Sequence, residues 1–317
     1  METNHNHQHG HCDCGCDHDD HHVNESKYEA VVSNSCVPVD DDAISAAVQE
    51  LLAEHRAEND NPQVWEFLLG CVDLTKLNTD DSESSVARFV QRVNDFDNAH
   101  PDCRNVAAVC VYSNFAQTAR AQLDVSNVNI AVCSACFPSS QAHLETKIAE
   151  TALALHDGAD EVDVVLNIGY FRDQAWEELC DEIDELKEVL GDRHLKVILE
   201  TGLLKTAENI RRASLLAMYS GADFIKTSTG KGYPGATPEA AYVMCLCIKE
   251  FHERTGQVVG FKASGGIRTT EDAVNYYTIV REVLGPEWLT PERFRIGASS
   301  LANALYQSFS GSDEKPF

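Results

Sequence analysis
A chain of 317 residues with 43% hydrophobic and 24% charged residues has globular composition and enough apolar side chains for one large core. Its net charge of −26 argues against binding nucleic-acid phosphates or anionic lipid, and no apolar run approaches the roughly 18 residues of a membrane span. The twelve cysteines are scattered, several within apolar stretches such as Val109-Cys110-Val111 and Cys245-Leu246-Cys247, so a small disulfide framework is excluded and reduced thiols in the cytoplasm are expected.

Residues 1–30 are low in complexity and hold seven of the thirteen histidines and three of the twelve cysteines. They offer little to bury and read as a disordered tail. The start lacks the basic and apolar regions of a signal peptide. His9, His11, Cys12, Cys14, Cys16 and His18 supply sulfur and imidazole ligands that suit zinc, copper or nickel, although the spacing matches no closed zinc finger. An unstructured hydrophilic extension is the equal alternative. Residues 31–60 read as a helical extension, with a helix over Asp42–His55 that follows an acidic run favourable to its N-terminus.

From about residue 61 short β-rich runs alternate with longer amphipathic segments. The predicted strands are Phe67–Val72, Val106–Tyr112, Asn129–Cys133, Glu161–Asn167, Leu195–Glu200, Asp223–Ser228, Val258–Lys262 and Phe294–Gly297. Helices are predicted over His143–His156, Trp176–Leu190, Ala207–Ser220, Pro238–Arg254 and Glu271–Val283. Alternation of this kind implies parallel strands joined by right-handed crossovers. Eight units fit a single closed (β/α)8 TIM barrel over 61–310, followed by a short tail, 311–317. A doubly wound open sheet is the rival, and no GxGxxG follows the first strand to support its dinucleotide-binding form.

Reactive groups of a barrel sit at the C-terminal ends of its strands. Three successive strands there carry Lys196, Lys226 and Lys262. A buried ammonium is costly, so each could simply be paired with an acid, Lys196 with Asp163 or Glu200. Lys226 and Lys262 fall on adjacent strands, however, and like charges at that range favour the neutral amine that attacks a carbonyl. Gly265-Gly266 and Gly297 to Ser300 follow the seventh and eighth strands, the loops where barrels often bind phosphate. Gly230-Lys231-Gly232 closes the same side.

The ordered blocks DLTKLN (73–78), VCVYSNF (109–115), GADEVDVVLN (158–167), LKVILETGLLK (195–205), ADFIKTSTGKG (222–232), ATPEAA (236–241), GFKASGGIRTTEDA (260–273) and FRIGASSL (294–301) resemble the deoxyribose-phosphate aldolase family. They span most of residues 61–301. The resemblance implies a class I aldolase, a lyase that cleaves 2-deoxy-D-ribose 5-phosphate to acetaldehyde and D-glyceraldehyde 3-phosphate through a lysine Schiff base, with no cofactor. It makes Lys226 the Schiff-base lysine, Lys262 the neighbouring cation that favours its neutral amine, Asp163 part of a proton relay, and Lys196 the residue that holds Asp163. Asp73, Thr75 and Cys110 match substrate-side positions. Gly230, Lys231, Gly265, Gly266, Ser299 and Ser300 match the phosphate site.

Three features depart from the family pattern. The stretch after the seventh strand reads Lys262-Ala263-Ser264-Gly265-Gly266, without the proline that often stiffens it. Cysteine is dense at Cys133-Ser134-Ala135-Cys136. The chain ends in Phe317, which lacks the hydroxyl of the tyrosine that ends some members. The rivals are another Schiff-base aldolase or transaldolase acting on a different sugar phosphate, and a metal-binding protein acting through its tail. The partner expected is a small phosphorylated sugar or aldehyde, with no nucleic acid and no membrane, and a homodimer is one assembly the sequence allows.

Overall fold
The computed structural model describes residues 27–317, so the His/Cys-rich ligand candidates His9, His11, Cys12, Cys14, Cys16 and His18 lie outside the described residues. Three helices come first: α1 (Lys27–Ser33), α2 (Asp41–Asn59) and α3 (Pro62–Leu69). Then β1 (Val72–Thr75), α4 (Glu83–Ala99), β2 (Ala108–Tyr112), α5 (Ala116–Gln122), β3 (Asn129–Cys133) and α6 (Leu144–His156) follow. The chain continues with β4 (Glu161–Val165), α7 (Ile168–Asp173), α8 (Trp176–Leu190), β5 (His194–Ile198), α9 (Thr201–Leu204) and α10 (Ala207–Tyr219). It closes with β6 (Phe224–Lys226), α11 (Pro238–Thr255), β7 (Gly260–Ser264), α12 (Thr270–Leu284), β8 (Phe294–Ala298) and α13 (Leu301–Ser310). The eight strands pair in parallel in sequence order, and β8 returns to β1, so the sheet is a closed barrel and the open-sheet alternative falls.

Local chemistry accounts for the elements. In α8 the buried residues Trp176, Leu179, Cys180, Ile183, Leu186 and Leu190 recur at helical spacing, and Gly191 ends the helix at φ 59°. At the start of α12, Thr269 and Asp272 form a reciprocal capping box. The strands are almost wholly buried, and their outward faces pack into the main core with the surrounding helices. A separate small cluster inside the barrel joins Leu77, Ala108, Cys110, Ala131 and Cys133.

One expectation needs correction. Phe67–Leu69 belong to α3, and the first strand begins at Val72. The Asn61 side chain accepts from Val64 N at 3.2 Å, and Pro62 occupies the first turn, so the apolar run that follows has helical period, with Val64 and Leu68 buried together. Of the segment 1–30, the described residues open α1 at Lys27, and Tyr28 is buried. At the other end, Phe317 is buried against Phe96, with ring centroids 4.5 Å apart. Its N–H donates to Asn303 Oδ1 at 3.0 Å and its carbonyl accepts from Asn303 Nδ2 at 2.7 Å. The last residue thus docks on α4 and α13 rather than lining the cavity at the barrel mouth.

Candidate active site
Strand register places the reactive side chains. Asp163 of β4 pairs with Lys196 of β5, Lys226 of β6 with Lys262 of β7, and Lys262 with Arg295 of β8. Seven charged groups meet inside the barrel as a result. Asp163 is fully buried and accepts from three lysines: Lys196 at 3.2 Å on Oδ1, and Lys226 at 2.7 Å and Lys262 at 2.8 Å on Oδ2. Lys262 also donates to Asp73, and Lys196 to Glu161. Arg295 ties the base of the cluster together, with Nη1 2.7 Å from Asp73 Oδ1 and Nη2 2.9 Å from Glu161 Oε1. Lys196 therefore has Asp163 and Glu161 as partners, whereas Glu200 faces Thr229, its Oε1 accepting from Thr229 N at 3.2 Å.

Charge balance separates the lysines. Three carboxylates, Asp73, Glu161 and Asp163, are matched by Lys196, Lys262 and Arg295. Lys226 is the additional cation and has Asp163 as its ion-pair partner. Burial alone would raise the Asp163 pKa, but Lys196, Lys226 and Lys262 outweigh it and hold the carboxyl well below the usual range. Burial likewise works against the Lys262 ammonium, yet Asp163 and Asp73 prevail and keep its pKa well above the ordinary lysine value. Lys262 is thus a fixed cation, and it is completely buried.

Lys226 lines a cavity of ≈ 250 Å³ at the mouth of the barrel. Thr75, Leu77, Gly230, Lys231, Gly265, Gly266, Arg268 and Ser299 share that lining. Its rim rests on close backbone contacts. Ala236 N donates to Ser264 O at 3.1 Å and Gly265 O at 3.0 Å, and a Cβ on Gly235 would lie 2.1 Å from Gly265 O. Gly266 has φ +84° with open space where a Cβ would project, so its backbone is accessible to a ligand. Lys231 Nζ reaches across the mouth to the carbonyl of Leu77. Glycine N–H groups, Lys231, Arg268 and the Ser299 hydroxyl make this rim suited to an anion despite the acidic surface.

Of the substrate-side residues read from the sequence, Thr75, Gly230, Lys231, Gly265, Gly266 and Ser299 line the cavity. Asp73 and Cys110 do not: both are buried in the barrel interior, Asp73 among Lys262 and Arg295 and Cys110 against Cys133. Ser300 sits one residue beyond Ser299, as the N-cap of α13, and is outside the lining as well. Sequence reasoning missed Arg295 and Arg268. The signal for Arg295 was a basic residue within the apolar strand FRIGA, and for Arg268 its place two residues after Gly266.

A closed barrel whose buried lysine–carboxylate cluster opens on an anion-suited cavity defines a lysine-dependent barrel aldolase. Comparison with known proteins agrees: residues 67–304 match the model of the DeoC/LacD family aldolases, and the chain belongs to that family. It is 39% identical over 282 residues to the deoxyribose-phosphate aldolase of Homo sapiens, covering 86% of this chain and 89% of that one. To the enzyme of that name from Mus musculus it is 40% identical over 282 residues, with the same coverage of 86% and 89%. The structure of the tetrameric deoxyribose phosphate aldolase from Aeropyrum pernix superposes with a TM-score of 0.61 at 24% identity, covering 84% of this chain and 97% of that one, a likeness that concerns the fold.

Proposed function
We propose that the chain cleaves 2-deoxy-D-ribose 5-phosphate to acetaldehyde and D-glyceraldehyde 3-phosphate, with Lys226 as the covalent nucleophile. The observation that carries this reading is that Lys226, alone of the three cluster lysines, lines the cavity rimmed by Gly265, Gly266, Arg268 and Ser299. The phosphate rests on that rim. The Lys226 amine adds to the C1 carbonyl of the open-chain sugar, and loss of water gives an imine. A base takes the proton of the C3 hydroxyl, the C2–C3 bond breaks, and its electrons pass into the enamine. Protonation at C2 and hydrolysis release acetaldehyde and free the lysine. Once Lys226 has become an imine, Asp163 remains beside the reacting nitrogen to receive and return protons, with Lys196 and Lys262 holding it in place. Lys262 keeps its charge and serves as electrostatic support.

Incubation with 2-deoxyribose 5-phosphate, with acetaldehyde detected by a coupled alcohol dehydrogenase, tests the reading directly. Acetaldehyde formation that disappears in Lys226→Ala supports it. Turnover of a different sugar phosphate in its place would establish the rival aldolase instead. The catalytic unit is residues 61–310 on this reading, preceded by the helical extension 31–60, with 1–30 and 311–317 outside it. Among the described residues the buried Cys71, Cys110, Cys133, Cys245 and Cys247 are free thiols, which suits a reducing, cytoplasmic setting. Among the described residues no helix is long and apolar enough to cross a membrane.

A further inference from the structure
Beside the lysine cluster lies a group that the proposed reaction does not use. Cys110 of β2 and Cys133 of β3 face each other inside the barrel with their Sγ atoms 4.0 Å apart. Each is 1% exposed. One carboxylate oxygen of Asp163 joins them, and the three ligand atoms lie within 4.8 Å of one another. Two sulfurs and a carboxylate oxygen converging on one point is a donor set for a thiophilic divalent cation.

We propose that Cys110, Cys133 and Asp163 form an inhibitory binding site for a thiophilic divalent metal ion such as Zn2+ or Cd2+. Thiolates about 2.3 Å from a tetrahedral zinc ion stand about 3.8 Å apart, so the sulfur spacing needs almost no adjustment. A disulfide would require the sulfurs to close to about 2.05 Å. The nearby lysines do not forbid a cation here. Each thiol loses its proton on binding, so one divalent ion replaces two protons and the charge of the cluster is unchanged. With three protein ligands, a tetrahedral ion keeps its fourth position for water or a substrate oxygen. The route in is the active-site cavity: Leu77 both lines that cavity and packs on the two cysteines. A bound ion draws Asp163 away from Lys226 and Lys262, and the proposed proton relay is lost. This consequence rests on the aldolase reading, whereas binding can be read without it.

The test uses the full chain and CdCl2 or ZnCl2, with Cys133→Ala and Cys133→Ser compared with wild type. Cys133 lies outside the proposed catalytic and substrate-binding residues, so both variants retain metal-free turnover. The wild type should lose activity as metal is added, recover it with EDTA, and be protected by substrate. Losing one of three ligands should raise the inhibitory concentration about tenfold or more, at least the effect of losing an outer-shell partner. Binding is read separately from the ultraviolet thiolate-to-cadmium charge-transfer band, which should be smaller in each variant by at least the contribution of the one sulfur removed. Three results overturn the proposal: equal inhibition of wild type and both variants, no difference in the cadmium band, or inhibition reversed by dithiothreitol but not by EDTA. If the chain proved to lack aldolase activity, the cadmium band would still decide the site.

Discussion
Lys226 and Lys262, opposite one another on β6 and β7, donate to the same oxygen, Asp163 Oδ2, at 2.7 and 2.8 Å. The shared partner does not make them equivalent. Lys262 is also held by Asp73 and has no exposed surface, while Lys226 faces the cavity. One is fixed as a cation by two carboxylates, and the other has one carboxylate partner and meets the cavity, where a carbonyl can reach its nitrogen.

That difference predicts the behaviour of Asp163→Asn. Lys196 keeps Glu161 and Lys262 keeps Asp73, so only Lys226 loses its ion-pair partner, and it lies at the cavity rather than in the closed interior. The variant should fold, with circular dichroism like that of wild type, and turn over about 10²-fold more slowly, the usual worth of a positioned acid–base group. An unfolded variant would show that Asp163 serves the fold.

Arg295 has the opposite character. It lies at the base of the cluster, 3% exposed, and joins Asp73 to Glu161. Arg295→Met leaves both carboxylates short of a partner, which for a buried pair costs about 3–5 kcal/mol. Thermal melting should show a clearly lowered Tm. A Tm within a degree of wild type would mean that Lys262 and Lys196 satisfy the two carboxylates unaided.

The cluster also sets the acid limit of the fold. Burial would raise the carboxyl groups of Asp73, Glu161 and Asp163, but their cationic neighbours prevail and lower all three. A carboxyl whose folded pKa lies below its unfolded value stabilises the fold above the unfolded value of about 4 and loses that contribution as pH falls through the folded value. Tm measured against pH should therefore drop as the solution is acidified below about pH 4. A Tm that rises on acidification through this range would contradict the sign.

At the cavity rim, Ser299→Asp sets a negative charge where the phosphate is proposed to rest. Charge-assisted hydrogen bonds there contribute about 1.5–3 kcal/mol each. Steady-state kinetics should show KM for 2-deoxyribose 5-phosphate raised about 10- to 100-fold, with little change for unphosphorylated deoxyribose. Equal effects on the two substrates would remove Ser299 from the phosphate site.

Much of this was legible in the sequence, and the exceptions have physical causes. The strand–helix rhythm gave the barrel, because strands buried on both faces read as apolar runs, and Asn129–Cys133 and Trp176–Leu190 coincide with their elements. Phe67–Leu69 misled because a short apolar run carries no decisive period, and the Asn61-Pro62 start that makes it a helix lies upstream. The adjacency of Lys226 and Lys262 followed from strand order alone. What strand order cannot say is depth along the barrel axis. Asp73 and Thr75 are two residues apart and point the same way, yet Asp73 is buried among cations and Thr75 reaches the cavity. Arg295 was hidden for the same reason, since its partners come from strands far apart in sequence.

Lys226, not Lys262, is proposed to form the covalent intermediate. Borohydride reduction of the protein with acetaldehyde present, followed by peptide mapping with mass spectrometry, tests it most directly. One reduced adduct is expected, on the peptide that contains Lys226, and none in Lys226→Ala. An adduct on Lys262, or an undiminished adduct in Lys226→Ala, would contradict it.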